Sequence, residues 1–158
     1  MNYNKLEEFS EIVKKMLVAW NFIEEKSEVE FDKKSKDLCV DGKNKELFGK
    51  GARAIINSAF LIGLMKYCYN NELSHPGVVI LDTPLTTFKE KDKAANEKDE
   101  SVGKDIKIAV YEKLAKFGRE YQIIIFENEE PNDELKENVN YIHFSGNTNV
   151  GRKGFIPE

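Results

Sequence analysis

The run Gly77-Val-Val-Ile-Leu-Asp82 restricts this chain more than any other feature. Val78 to Leu81 is continuously apolar and rich in β-branched side chains. It lacks the polar alternation of a half-exposed strand, so the pattern predicts a strand covered on both faces, as in parallel sheets. His75-Pro76-Gly77 breaks the chain before it, and Asp82-Thr83-Pro84 ends it. A carboxylate at the C-terminal end of such a strand stands where open α/β sheets place their chemistry. A second run of the same kind, Tyr121-Gln-Ile-Ile-Ile-Phe126, ends in Glu127-Asn128-Glu129-Glu130. Between the two, Ile106, Val110, Leu114 and Phe117 recur at helical spacing and predict an amphipathic helix ending near Gly118. Strand, helix and strand predict an α/β chain with a parallel-sheet core and flanking helices, its crossover right-handed by default.

The upstream half fits the same class. Leu6, Phe9, Val13, Met16, Leu17, Trp20 and Ile23 lie on one face of a helix expected over Asn4–Glu25. Residues 1–27 therefore read either as an ordinary surface helix or as the end of a longer coiled coil, a choice that two heptads do not decide. Glu28–Phe31 and Leu38–Val40 flank the polar stretch Asp32–Asp37 and predict a β-hairpin, with Asp41-Gly42 as a second turn. Gly49-Lys50-Gly51 introduces a helix over Ala52–Asn70 that is apolar nearly all round and so buried on most sides. Its first turn, with free amides and the positive dipole end, offers an anion site to which Lys50 and Arg53 add charge. The plainer alternative is a Gly-rich turn before a core helix. Downstream, Lys89–Glu100 is expected as a loop, either a solvated linker or a segment that orders on binding. Asn132–Glu137 is expected as a helix, Val139–Phe144 as a strand, and Ser145–Lys153 as a Gly- and Asn-rich loop.

Composition narrows the function classes. The chain has 158 residues, enough for one domain or part of one. Its 41% hydrophobic and 33% charged residues exclude a wholly disordered chain. A net charge of −4 argues against a self-sufficient duplex binder, because phosphate contacts dominate that affinity. Cys39 and Cys68 are far apart with no C-x-x-C pair, so neither a zinc site nor a disulfide framework is expected. Free thiols suit a reducing compartment. The N-terminus lacks a signal core. The longest apolar stretch, Ala52–Met65, is interrupted by Arg53, Asn57 and Ser58 and falls short of the ~20 residues of a bilayer span. A cytoplasmic protein without a membrane span is the expectation. No G-x-x-x-x-G-K-[ST] loop occurs anywhere, so no phosphate-cradling loop is present. The two histidines, His75 and His143, support neither a Ser–His–acid triad nor a metal cluster.

A hydrophobic strand ending in Asp82 is the Walker B arrangement, in which the carboxylate holds a water of a Mg²⁺ shell. Three stretches give that motif a context: Leu47-Phe-Gly-Lys-Gly-Ala-Arg-Ala54, Gly77-Val-Val-Ile-Leu-Asp-Thr-Pro-Leu85 and Gln122-Ile-Ile-Ile-Phe-Glu-Asn128. Their order, across Glu28 to Phe144, resembles the C-terminal lobe of an ABC-type ATPase head of the SMC and DNA-repair coiled-coil class. The wording ILDTPLTTFKEKD, IIIFENEEP and GRKGFIP looks closer to a bacterial subgroup of SMC-like coiled-coil ATPases found in mobile-element or anti-phage settings.

The resemblance implies a P-loop NTPase-like C-terminal half, with residues 28–158 forming the lobe and 1–27 a coiled-coil remnant. It implies two heads sandwiching two ATP molecules. Gly49, Lys50, Gly51 and Arg53 would meet nucleotide held by a partner, and Asp82 would serve Mg²⁺ in its own head. Thr86 and Thr87 would lie in the D-loop, and Asn128 would occupy the switch-histidine position. The chain departs from the pattern at Gly49 for the signature serine, at Lys50-Gly51 for a glycine pair, and at Thr83 for the catalytic glutamate. Threonine is no general base at neutral pH, which leaves Glu127 or Glu129 as a substitute. The Walker A lobe would come from elsewhere, in the same or another polypeptide, with DNA reached through the complete assembly. Met1 followed by a helix fits a cut within the coiled coil. Half a head should expose a sheet edge and apolar surface, and should dimerise. The competing readings are a non-catalytic α/β interaction or regulatory module, and a small α/β enzyme using Asp82.

Overall fold

The computed structural model describes residues 3–85, 97–146 and 152–154, the side chains of Tyr3 and residues 97–104 excepted. The chain is mixed α/β. It carries an antiparallel three-stranded sheet and a separate parallel pair.

Helix α1 spans Tyr3–Ala19 and buries Phe9, Val13, Met16 and Leu17, as the spacing requires. It stops earlier than Glu25 for a local reason. Asn21 takes a left-handed φ of 57°, the Phe22 amide donates to the Leu17 carbonyl and the Asn21 amide to that of Val18. That pair of bonds is a Schellman cap, and asparagine tolerates its left-handed position better than most residues. Trp20, just past the helix, is almost completely buried beneath it.

Strands β1 (Val29–Asp32) and β2 (Asp37–Val40) form the expected hairpin, with Phe31 opposite Leu38. The Asp32 carboxylate accepts from the amides of Lys34 and Ser35 and closes the turn. Asp41 and Gly42 both take positive φ, which suits a tight primed turn. That turn leads into the short β3 (Lys43–Asn44). A single 3-10 turn, Lys45–Leu47, then delivers the chain to α2 (Lys50–Asn70).

Helix α2 is the centre of the molecule. Ile55, Ile56, Ala59, Ile62 and Met65 are buried. Gly63 permits the closest approach of α1, since a Cβ there would meet the Val13 Cγ2 at 2.8 Å. A second Schellman cap ends α2, with Glu72 left-handed and the Leu73 amide donating to the Cys68 carbonyl. The connection 71–77 leads to β4 (Val78–Asp82).

Helix α3 runs Glu97–Ala115, and β5 is Gln122–Phe126. Strands β4 and β5 pair in parallel, with Val79 opposite Ile123 and Asp82 opposite Phe126. The helix begins well before Ile106 and takes in the end of the stretch expected as loop. Its first turns are polar and carry no apolar period to read. The rest of that loop, residues 89–96, lies outside the described residues, as do Thr86, Thr87 and residues 155–158.

Two expectations need correction. The β4 strand is not covered on both faces. Val79 and Leu81 join the core with Ile106 and Val110 of α3, whereas Ile80 is 58% exposed and Phe126 43%. The helices pack on one face of the pair, and those two side chains stay exposed on the other. Nor is Val139–Phe144 a strand. After α4 (Asp133–Asn138) the chain is irregular, with one isolated bridge between Phe144 and Arg152. Alternation becomes a strand only when a neighbour supplies a ladder, and Val139, Ile142 and Phe144 instead stand exposed. Among the described residues no helix is long and apolar enough to cross a membrane.

Candidate functional site

Two groups of residues carry the chemistry singled out in the sequence. The first is the loop into α2. Gly49 is the N-cap, its φ of −64° and ψ of 162° are extended, and it has no side chain to cap the helix. Its carbonyl accepts from the Arg53 amide, which closes the first turn. The amides of that turn are therefore not occupied by a capping side chain, as an anion site requires. Lys50 and Arg53 are exposed and Gly51 is buried. Lys45 fixes the approach to this turn. Its ammonium bonds to Asp37 Oδ2 at 2.7 Å and to Asn57 Oδ1 at 3.4 Å, tying the 3-10 turn to both β2 and α2. Leu47, between Lys45 and Gly49, is 76% exposed.

The second group lies at the C-terminal ends of β4 and β5. Asp82 is exposed at the end of its strand. Parallel register places Phe126 directly beside it, so Glu127 and Asn128 follow at the same end of the pair. Thr83 continues the ladder, its amide donating to the Phe126 carbonyl at 2.8 Å. It does so at a φ of 44°, a left-handed conformation that is unusual for a β-branched residue. Such strain tends to gather at functional turns.

The structure brings Asp82 and the Glu127 backbone to one end of the sheet, but it does not turn their carboxylates together. Successive strand residues point to opposite faces. Asp82 and Phe126 share the open face. Glu127 turns to the helix-covered face, where the Tyr111 hydroxyl donates to its Oε2 at 3.3 Å. The Asn128 amide donates to Oε1 of the same carboxylate at 3.0 Å. Lys107 reaches Glu129 Oε2 at 3.4 Å. Burial holds the Tyr111 hydroxyl well above its ordinary range, and the charge of Glu127 adds to that. Glu130, the last acid of the run, bonds to Lys136 at 2.8 Å and to His143 at 3.2 Å. The Lys136 hydrogen bond is the main reason its carboxyl lies below the ordinary range. Glu127 and Glu129, the acids expected to replace a missing base, are thus engaged by α3.

Tyr111 and Lys107 were not singled out from the sequence. The available signal was their four-residue separation on α3, which places them on one helix face. That face meets Glu127 and Glu129, two residues apart and so on one side of an extended segment.

A lone strand-end aspartate is a fitting donor for Mg²⁺, which is commonly held by one or two carboxylates together with substrate phosphates. Among the described residues no three His, Cys, Asp or Glu side chains gather into a metal cage. Thr86 and Thr87 lie outside the described residues. No protein-family profile matches the chain, and a search of curated proteins returns no significant match.

Proposed function

We propose that this chain is the C-terminal half of an SMC-like ATPase head. It would contribute Asp82 and the Gly49–Arg53 loop to a nucleotide site that a Walker A lobe completes, in DNA repair, DNA maintenance or anti-phage defence. One observation carries the reading: the Asp82 strand lies parallel and adjacent to the strand that leads to Glu127 and Asn128. A helix joining the two strands, and a glycine-capped helix preceding the first, support it. On this reading Asp82 holds a water of the Mg²⁺ shell, the Gly49–Arg53 turn receives phosphate oxygens of nucleotide on a second head, and Asn128 orients by hydrogen bonding. ATP and Mg²⁺ would supply the phosphoryl chemistry. Asp82 would act through position and charge.

Calorimetry of ATP and Mg²⁺ with the chain, alone and with a Walker A lobe added, tests the proposal. Binding only in the presence of the lobe, weakened by Asp82→Asn, is the expected result. Tight binding to the chain alone would contradict it.

A non-catalytic interaction module is the second reading. The engagement of Glu127 by Tyr111, together with Thr83 in place of a glutamate, favours it. It expects no nucleotide response in either arm.

A further inference from the structure

Lys107 and Tyr111 lie one helical turn apart on α3, and the acids they meet, Glu129 and Glu127, flank Asn128. Each donor follows a core residue. Ile106 and Val110 are buried and share the core with Val79 and Leu81 of β4. The helix that carries the donors is therefore fixed against the strand that carries Asp82. The Lys107 side chain is 15% exposed where it meets Glu129 at 3.4 Å, so solvent screens this pair less than a fully exposed one.

Both acids are thereby held on the helix-covered side. Glu127 is held twice, since its second carboxylate oxygen accepts from the Asn128 amide at 3.0 Å. The Asn128 side chain has the opposite facing. Exposure alternates along the chain here, with Phe126 and Asn128 exposed and Glu127 and Glu129 half-buried. The same alternation carries Asn128 to the open side that Asp82 and Phe126 share.

We infer that Lys107 and Tyr111 are positioning residues for Asn128. By gripping the residue on either side of it, they fix the direction in which the Asn128 carboxamide leaves the end of the sheet. The role rests on the ATPase-head reading, in which Asn128 touches the attacking water or the γ-phosphate and α3 touches neither. The contact that keeps Glu127 from acting as a base is then part of how Asn128 is aimed. A carboxamide on an ungripped segment would sample several directions. Loss of orientation at a reacting group lowers kcat rather than substrate binding.

Two measurements separate the grip from the role. Solvent exchange of backbone amides in the chain alone, followed by NMR, reads the grip. Tyr111→Phe should speed exchange at Asn128 several-fold and leave the Thr83 amide, which donates to Phe126, unchanged. No change at Asn128, or equal acceleration at both amides, would overturn the grip. The role is read in a head completed by a Walker A lobe. There the double variant Lys107→Met, Tyr111→Phe should lower kcat for ATP hydrolysis by about tenfold or more, with KM little changed. Tyr111→Phe alone should lower it less and serves should the double variant fold poorly. Asn128→Ala should also lower kcat, and adding the double variant to it should cost nothing further. Lys107→Arg keeps the cation and should retain most of the activity. A fall of the same size with and without Asn128 would show that the two residues act through folding alone, and that result or an unchanged kcat would overturn the inference. A completed wild-type head that binds ATP without turning it over would overturn the role but not the nucleotide site; one that binds no ATP would overturn both.

Discussion

The Tyr111 hydroxyl donates to Oε2 of Glu127 across 3.3 Å, linking the middle of α3 to the tip of β5. The bond holds the Glu127 carboxylate on the helix-covered face while Asp82 occupies the open one. Tyr111→Phe removes the donor and keeps the ring. A hydrogen bond to a charged acceptor contributes about 1.5–3 kcal/mol, and the length of this one puts the expected loss at the bottom of that range. Urea denaturation at neutral pH measures it. The pH dependence has a definite sign. The folded state holds the Tyr111 hydroxyl above its ordinary value of 10, by burial first and by Glu127 second. Its contribution is therefore complete below about pH 10 and is lost as pH rises further, because the unfolded chain ionises first. Tyr111→Phe should flatten that alkaline decline. An unchanged decline would show that Tyr111 is not its source.

Gly63 sets the spacing of α1 on α2. A Cβ there would lie 2.8 Å from Val13 Cγ2, a buried atom of a stiff side chain. Alanine in a helix interior gains up to about 1 kcal/mol over glycine, and overpacking costs about 1–3 kcal/mol. The clash should win, so Gly63→Ala is expected to destabilise. Pairing it with Val13→Ala removes the clash, and the double variant should be more stable than the sum of the two single changes predicts. Thermal or urea unfolding of all four proteins closes the cycle.

Ile80 and Phe126 stand on the open face of a two-stranded parallel sheet. Parallel sheets are ordinarily covered on both faces, so an apolar face of this kind invites association. The isolated chain is expected to self-associate with rising concentration in sedimentation velocity. Ile80→Asp should shift it towards monomer with little change in the unfolding midpoint, because the side chain is already 58% exposed. A concentration-independent monomer in the wild type would contradict the expectation.

Much of this architecture was readable because short-range rules decided it. The α1 spacing, the hairpin around Asp32, the Gly49 start of α2 and the two β-branched strands are each fixed by local pattern. What escaped depended on partners distant in sequence. Val78–Leu81 looks the same whether one face or both will be covered, and only the placement of the helices leaves Ile80 exposed. Val139–Phe144 has the alternation of a strand but, among the described residues, finds only the bridge from Phe144 to Arg152. At the candidate site, Asp82 and the acidic run after β5 were legible as strand ends. Their facing was not, since it turns on one residue of register and on Tyr111 reaching Glu127 from a different element.

Thr83 is strained, and on the proposed reading it stands where a catalytic glutamate would be. Its φ of 44° is a conformation glycine adopts freely and a β-branched residue does not. Residues held in such regions cost about 1–3 kcal/mol, partly offset in a glycine variant by the greater freedom of the unfolded chain. Thr83→Gly is therefore expected to stabilise the chain by about 1 kcal/mol in urea unfolding; destabilisation would mean that the hydroxyl or methyl group makes a contact worth more than the strain. Thr83→Glu keeps a side chain at the same φ and adds a carboxylate next to Asp82. In a head completed by a Walker A lobe it should raise kcat for ATP hydrolysis with little change in KM, because a general base acts in the transition state rather than in binding. Thr83→Gln separates charge from size and should leave turnover at the wild-type level. Equal rates for all three proteins would show that position 83 is not where the attacking water is activated.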